Sequence, residues 1–243
     1  MSGYPAGAPA RGGRRRRPMR TVLIIVIVLI GVLVAADFGA KAFAQGKLAS
    51  EIQSHGFPKK PDVSIGGFPF LTQLVGRDFR SVTISSGDVP EGPVTINKIN
   101  AVLSGVRVNS SLSGGTVDQL TGTVFITFPE LANALTSQAG ALGSLVGGAG
   151  LTLTAAGSNE VKATVNVLIV SGSATWRITE LRGNEIDVKL VSSSGLPSSL
   201  LSSVANIKLR LPALPLHLTI QSLSVTPDGI NGQLAGSHLS FGS

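Results

Sequence analysis

The chain has no cysteine, which excludes disulfides, thiol nucleophiles and cysteine-based metal sites; an exported domain of this composition must fold on its core alone. Histidine occurs three times, as His55, His217 and His238, and no two have the i, i+4 spacing of a helical zinc pair. All three read as polar surface. No G-x-S-x-G elbow, phosphate-cradling loop or G-x-G-x-x-G is present, and Gly66-Gly67 alone does not make one. The carboxylates are scattered. The closest pair, Glu185 and Asp187, shares one face of a strand and reads as solvated surface. The expectation is therefore a protein with no catalytic residues, no metal and no cofactor.

What the chain does have is an uncharged aliphatic run from Thr21 to Ala36, TVLIIVIVLIGVLVAA, preceded by Arg14 to Arg17 and Arg20. A greasy helix with cations on its N-terminal side enters a membrane with those cations left in the cytoplasm, so everything after Asp37 is expected on the far side. Sixteen residues is short for a span, where about 20 are usual, and long for a signal-peptide core, where about 7–15 are usual. Ala42-Phe43-Ala44 fits a cleavage site, but Asp37 and Lys41 intervene and helical character continues to Ser54. The reading favours an uncleaved signal anchor, with a cleaved signal as the alternative. Both place the domain in the cell envelope, on the extracytoplasmic (periplasmic) side.

Three segments follow: an Arg-rich, disordered cytoplasmic tail over 1–20, the membrane segment over 21–36, and one extracytoplasmic domain over 37–243. The net charge of +7 is misleading as an average. Six arginines precede the apolar run, which leaves 14 Lys and Arg (20 less 6) against 13 acids, or about +1, in the domain. A nucleic-acid binder does not look like this.

Phe38 to Ser54 reads as a helix that continues the anchor, stopped by Gly56 and Pro58. The segment from Ser64 to Gly76 holds the densest aromatic cluster in an aromatic-poor chain, and Pro69 opens a short helix carrying Leu71, Leu74 and Val75. From Asp78 the apolar period becomes two. Val82/Ile84, Leu120/Val124/Ile126, Val161/Ala163/Val165, Ala174/Trp176/Ile178, Ile186/Val188/Leu190 and Leu214 to Ile220 each alternate with polar residues. A slip of phase between Ile96 and Ile99 suggests a β-bulge in a bent strand. Turn chemistry at 113–115, 156–159, 182–184 and 227–229 joins the strands into an antiparallel meander. Two helices interrupt it: one begun by Pro129-Glu130 with a stripe of Leu131, Leu135, Ala139, Leu142 and Val146, the other near Pro197.

The fold class expected is α+β, mainly antiparallel β, as a curled sheet wrapped on a few helices. Its apolar face and small, non-aromatic lining allow either an ordinary filled core or a groove for acyl chains. Phe68, Phe70, Leu71, Leu74, Leu131, Leu135 and Leu142 are the candidates for that groove, and each also fits plain core. Arg77 and Arg80 are candidates for a lipid phosphate, or else solvated strand ends.

The segments Ala44 to Ser50, Val63 to Gly76 (with GFPFLTQLVG the most specific stretch), Phe79 to Ser86 and Val225 to Ile230 resemble the LmeA family of phospholipid-binding proteins of the actinobacterial cell envelope. The similarity covers residues 40 to 240. It implies an extracytoplasmic binder of phospholipid, phosphatidylinositol-type lipids included, connected with elongation or maintenance of lipoglycan mannan, and similar in fold to tubular lipid-binding domains. It transfers no catalytic residue, and it leaves any protein partner unknown. The rivals are an envelope scaffold binding a protein partner and an enzyme acting on glycolipids.

Overall fold

The computed structural model describes residues 18–54, 57–92, 94–111, 113–137, 150–167, 170–182, 185–196, 205–210 and 218–242. The first element is one uninterrupted helix, α1 (Pro18–Ser54), in which the aliphatic run and the helix expected after it are continuous. It is long and apolar enough to cross a membrane. Its two halves meet different surroundings. Leu23 to Leu33 stand open, whereas Ala40, Ala44, Ala49 and Ile52 pack on the sheet.

The larger sheet has six antiparallel strands in the order β1 (Asp62–Gly66), β2 (Asp78–Ser86), β5 (Lys98–Val108), β6 (Gly115–Thr127), β13 (Gly229–Phe241), β12 (Thr219–Thr226). The smaller is a five-stranded meander, β11 (Asn206–Arg210), β10 (Glu185–Ser194), β9 (Val170–Arg182), β8 (Glu160–Val167), β7 (Gly150–Gly157). Among the described residues neither sheet closes on itself. Two short helices complete the frame, α2 (Phe70–Gly76) and α3 (Phe128–Ser137). The class is thus mainly antiparallel β, with three helices among the described residues, as the alternating pattern implied. The sheet edges meet where the β7–β8 turn reaches the large sheet and β9: Val225 N–H donates to the Ser158 carbonyl at 2.8 Å, and Ile178 N–H to the Asn159 carbonyl at 2.9 Å.

The phase slip at Ile96–Ile99 has a different origin from a bulge. The chain breaks there between two sheets. β4 (Val94–Ile96) pairs with β3 (Val89–Glu91) in a separate hairpin, and β5 joins the large sheet. Asn97 makes the transition. Its N–H donates to the Phe125 carbonyl at 2.9 Å, and its side-chain oxygen accepts from Thr127 N–H at 2.8 Å. The helix expected near Pro197, the residues of the α3 stripe beyond Ser137 and the strand residues 214–217 lie outside the described residues.

One irregularity runs straight across the large sheet. The rung Arg80–Gly105–Asp118–His238 is missing from the pairing of β2 with β5, β5 with β6 and β6 with β13, and each ladder resumes beyond it in the same register. Gly105 and His238 both have positive φ, 63° and 51°. At this rung the inward spacing changes from two to three. Phe79 and Val82, Val106 and Leu103, and Val117 and Leu120 all serve one core, which the usual alternation would forbid.

That core also holds Val63, Ile65, Phe70, Leu239 and the inner face of α1. Phe70 is 1% exposed, and burial of such a ring contributes about 1.5–3 kcal/mol. A second core lies at the opposite end of the strands, where Phe128, Leu131 and Ala132 of α3 pack on Val225, Ile230, Leu153, Ala163 and Trp176.

Candidate functional site

Strand register sets which side chains share a face. On the inner face of the large sheet, Ile84 of β2 pairs with Ala101 of β5, Ala101 with Gly122 of β6, Gly122 with Leu234 of β13, and Leu234 with Ile220 of β12. The next row toward α3 runs Ile99, Val124, Gly232, Leu223. Apart from Ile84 and the buried Gly232, these residues are only half-buried and belong to neither core. They form an uncharged strip between the α1–α2 core and the α3 core.

Its floor is lowest where Ala101 lies beside Gly122. A methyl carbon added at Gly122 would meet Asn100 O at 3.4 Å, Leu234 Cβ at 3.7 Å and Leu120 Cδ2 at 3.8 Å, all ordinary contacts. The strip is uncharged but not wholly apolar: Ser86, paired with Ile99, starts its second row, and its buried Oγ has no hydrogen-bond partner among the described residues.

The residues singled out from sequence fall at the two ends of this strip. At the α1 end, Phe70 is core, Leu71 packs against that core, and Phe68 and Leu74 are open to solvent. At the other end Leu131 packs into the α3 core and Leu135 is exposed. Leu142 lies outside the described residues. Arg77 and Arg80 are both exposed. Arg77 closes α2 in the left-handed region at φ 55°, and its carbonyl accepts from Val108 N–H at 3.0 Å. Arg80 N–H donates to Gln73 Oε1 at 2.9 Å.

Two residues gained a role that no sequence signal announced. Asp37 is 3% exposed, and its carboxylate accepts from the N–H of Phe70 at 2.9 Å and of Leu71 at 2.7 Å. The first turn of α2 has no cap from its own side chains, because Pro69 stands at the cap position; α1 supplies the oxygens instead. Gln73, 8% exposed, holds the start of β2 through Arg80.

The opposite, wet face of the same sheet carries two open concavities. One, of about 430 Å³, is lined by Lys98, Asn100, Thr123, Phe125, Asp228 and Asn231; the other, of about 280 Å³, by Val102, Thr121, Gln221 and Gln233 among others. Lys98 Nζ lies 6.0 Å from the Phe125 ring centre. At the α2 end of this sheet Arg107 grips Asp118 with two bonds of 2.8 and 2.9 Å, and that carboxylate holds the guanidinium above its ordinary pKa. Glu185 and Asp187 do share a face, and Lys208 sits against both, at 3.4 and 4.0 Å. Among the described residues no three His, Asp or Glu side chains converge as metal ligands would.

An open antiparallel sheet with an uncharged inner face, joined to an apolar helix, defines the general class: a β-domain suited to holding apolar matter. The family follows from the sequence match. Residues 35–235 match the LmeA family, LmeA-like phospholipid-binding, and the chain belongs to it. Membership supports lipid binding as the activity. No curated protein and no solved structure matches the chain.

Proposed function

We propose that this protein is a non-enzymatic phospholipid binder on the extracytoplasmic side of the plasma membrane, supporting synthesis or maintenance of lipoglycan mannan. An acyl chain lies along the inner strip over Ala101 and Gly122, between α2 and α3. Each methylene taken from water contributes about 0.8 kcal/mol, so no catalytic group is needed to hold the ligand. Arg80 stands four residues along the strands from the Ala101 row, about 13 Å, which suits a phosphate at the α2 end with its tail in the strip. Arg77 shares that end. The arginines that precede α1 support this sidedness, and retention of α1 as an anchor accords with the burial of Asp37 and Ala49 in the domain.

The observation that carries this reading is the uncharged, half-buried row through Ala101 and Gly122 that neither core claims. Gly122→Leu sets a branched side chain over that row without positive-φ strain. The variant is expected to fold like the parent and to lose most of its co-purifying phospholipid, measured by mass spectrometry of solvent extracts from detergent-solubilised protein. Equal lipid in parent and variant, or none in either, defeats the proposal. In the source cell, loss of the protein is expected to shorten the mannan, as read by the mobility of extracted lipoglycan.

A further inference from the structure

Phe38 and Phe68 stack with ring centres 6.2 Å apart, yet they are 59% and 54% exposed. Two paired rings left open to water form an apolar patch that calls for an occupant. The edge of α2 adds Leu74, 39% exposed, and Val75, 83% exposed.

The position of this patch is fixed by Asp37. That residue directly follows the aliphatic run and directly precedes Phe38, and its carboxylate binds the backbone of Phe70 and Leu71. The loop carrying Phe68 is therefore held level with the place where α1 leaves the bilayer. The length of the run places it deeper still. Sixteen helical residues rise about 24 Å, against a hydrocarbon layer of about 30 Å. Filling the difference draws about four more residues into the membrane, past Asp37. A bare carboxylate would resist this. Here both oxygens are occupied by N–H groups and turned into the domain, so the side of α1 that meets lipid at this depth presents Phe38.

We propose that the Phe38–Phe68 pair and the α2 edge form a seat that sinks into the acyl–headgroup boundary of the bilayer α1 crosses. The occupant is the lipid surface, because the patch continues the spanning surface of α1. Arg77, exposed at the end of α2, and Arg80, whose chain passes beside Gly67, sit next to the patch where lipid phosphates lie. The inference rests on α1 being retained as an anchor and not on occupancy of the Gly122 strip.

The test uses the full chain in vesicles of phosphatidylcholine and phosphatidylglycerol, part of it brominated on the upper acyl chain. Trp176 is the sole tryptophan, so Trp176→Phe gives a silent background. Phe68→Trp in that background is expected to emit to the blue of an Asp228→Trp control and to lose most of its intensity to bromolipid and little to aqueous iodide. Asp228 lies at the opposite end of β13, about 40 Å along the strand. Quenching by bromolipid no stronger than in the control overturns the proposal, and so does a membrane-bound chain whose mass shows that it begins after Phe43. If Phe68→Trp does not fold, Phe38→Trp gives the same readout. Bromolipid quenching without co-purified phospholipid defeats the strip and leaves the seat; the reverse defeats the seat alone.

Discussion

Asp37 shows how much of this structure turns on single side chains. Asp37→Ala leaves two backbone donors at the buried start of α2 without acceptors and removes a link between α1 and the domain. Such a loss costs about 1–3 kcal/mol, and Asp37→Asn, which keeps one acceptor oxygen, is expected to recover part of it in urea unfolding of the detergent-solubilised chain. The sequence shows only a charge after an apolar run, since the 33-residue separation from Phe70 carries no local signal. Lys59 and Asp88 form a second long-range pair, at 2.6 Å. The hydrogen bond and charge of Lys59 hold the Asp88 carboxyl below its ordinary value of 3.8. A depressed carboxylate contributes stability above its unfolded value, and that contribution disappears as pH falls through the folded one. The stability gap between the parent and Asp88→Asn is thus expected to be level near neutrality and to close below about pH 3.8. It is also expected to narrow with salt, because both side chains are exposed. A gap unchanged by acid would deny the pair its role.

At the scale of elements, alternation and turn chemistry were readable because both are local. The Pro227-Asp228 hairpin and the Ser158-Asn159 turn fall where the residues indicated, and the strands from Val161 to Leu190 form the expected meander. The missing rung at Arg80, Gly105, Asp118 and His238 was not readable, because it depends on four strands in lateral register. Its weakest tolerance is at Gly105, where φ is 63° and an added methyl carbon lands on the Asp118 carboxylate that Arg107 grips. Gly105→Ala combines about 1–2 kcal/mol of left-handed strain with a broken ion pair. A fall in Tm of several degrees is expected, since about 2–4 °C accompanies each kcal/mol in a domain of this size. Gly122→Ala, at an ordinary backbone angle with ordinary contacts, is expected to leave Tm nearly unchanged, and equal effects at the two glycines would refute this account of the rung. The candidate site was legible only in outline. Leucine stripes marked α2 and α3 but not the strip between them, whose distinguishing residues, Ala101 and Gly122, are small and carry no pattern of their own.

For the whole molecule, α1 joins a stretch apolar enough to cross a membrane to a component of the core. Ala40, Ala44, Ala49 and Ile52 cover the core on the large sheet, and Asp37 caps α2. A chain begun at residue 57 is expected to lose cooperative unfolding and to bind an apolar dye, whereas one begun at Asp37 unfolds as a unit. Equal behaviour of the two would show that α1 is dispensable to the fold. Continuity of the helix also governs reach. With α1 retained as the proposed anchor, a stalk without a flexible joint would keep the domain within about 40 Å, one strand length, of the leaflet beside it. On that proposal, cargo destined for a more distant layer would have to be handed to a second carrier that comes to meet it.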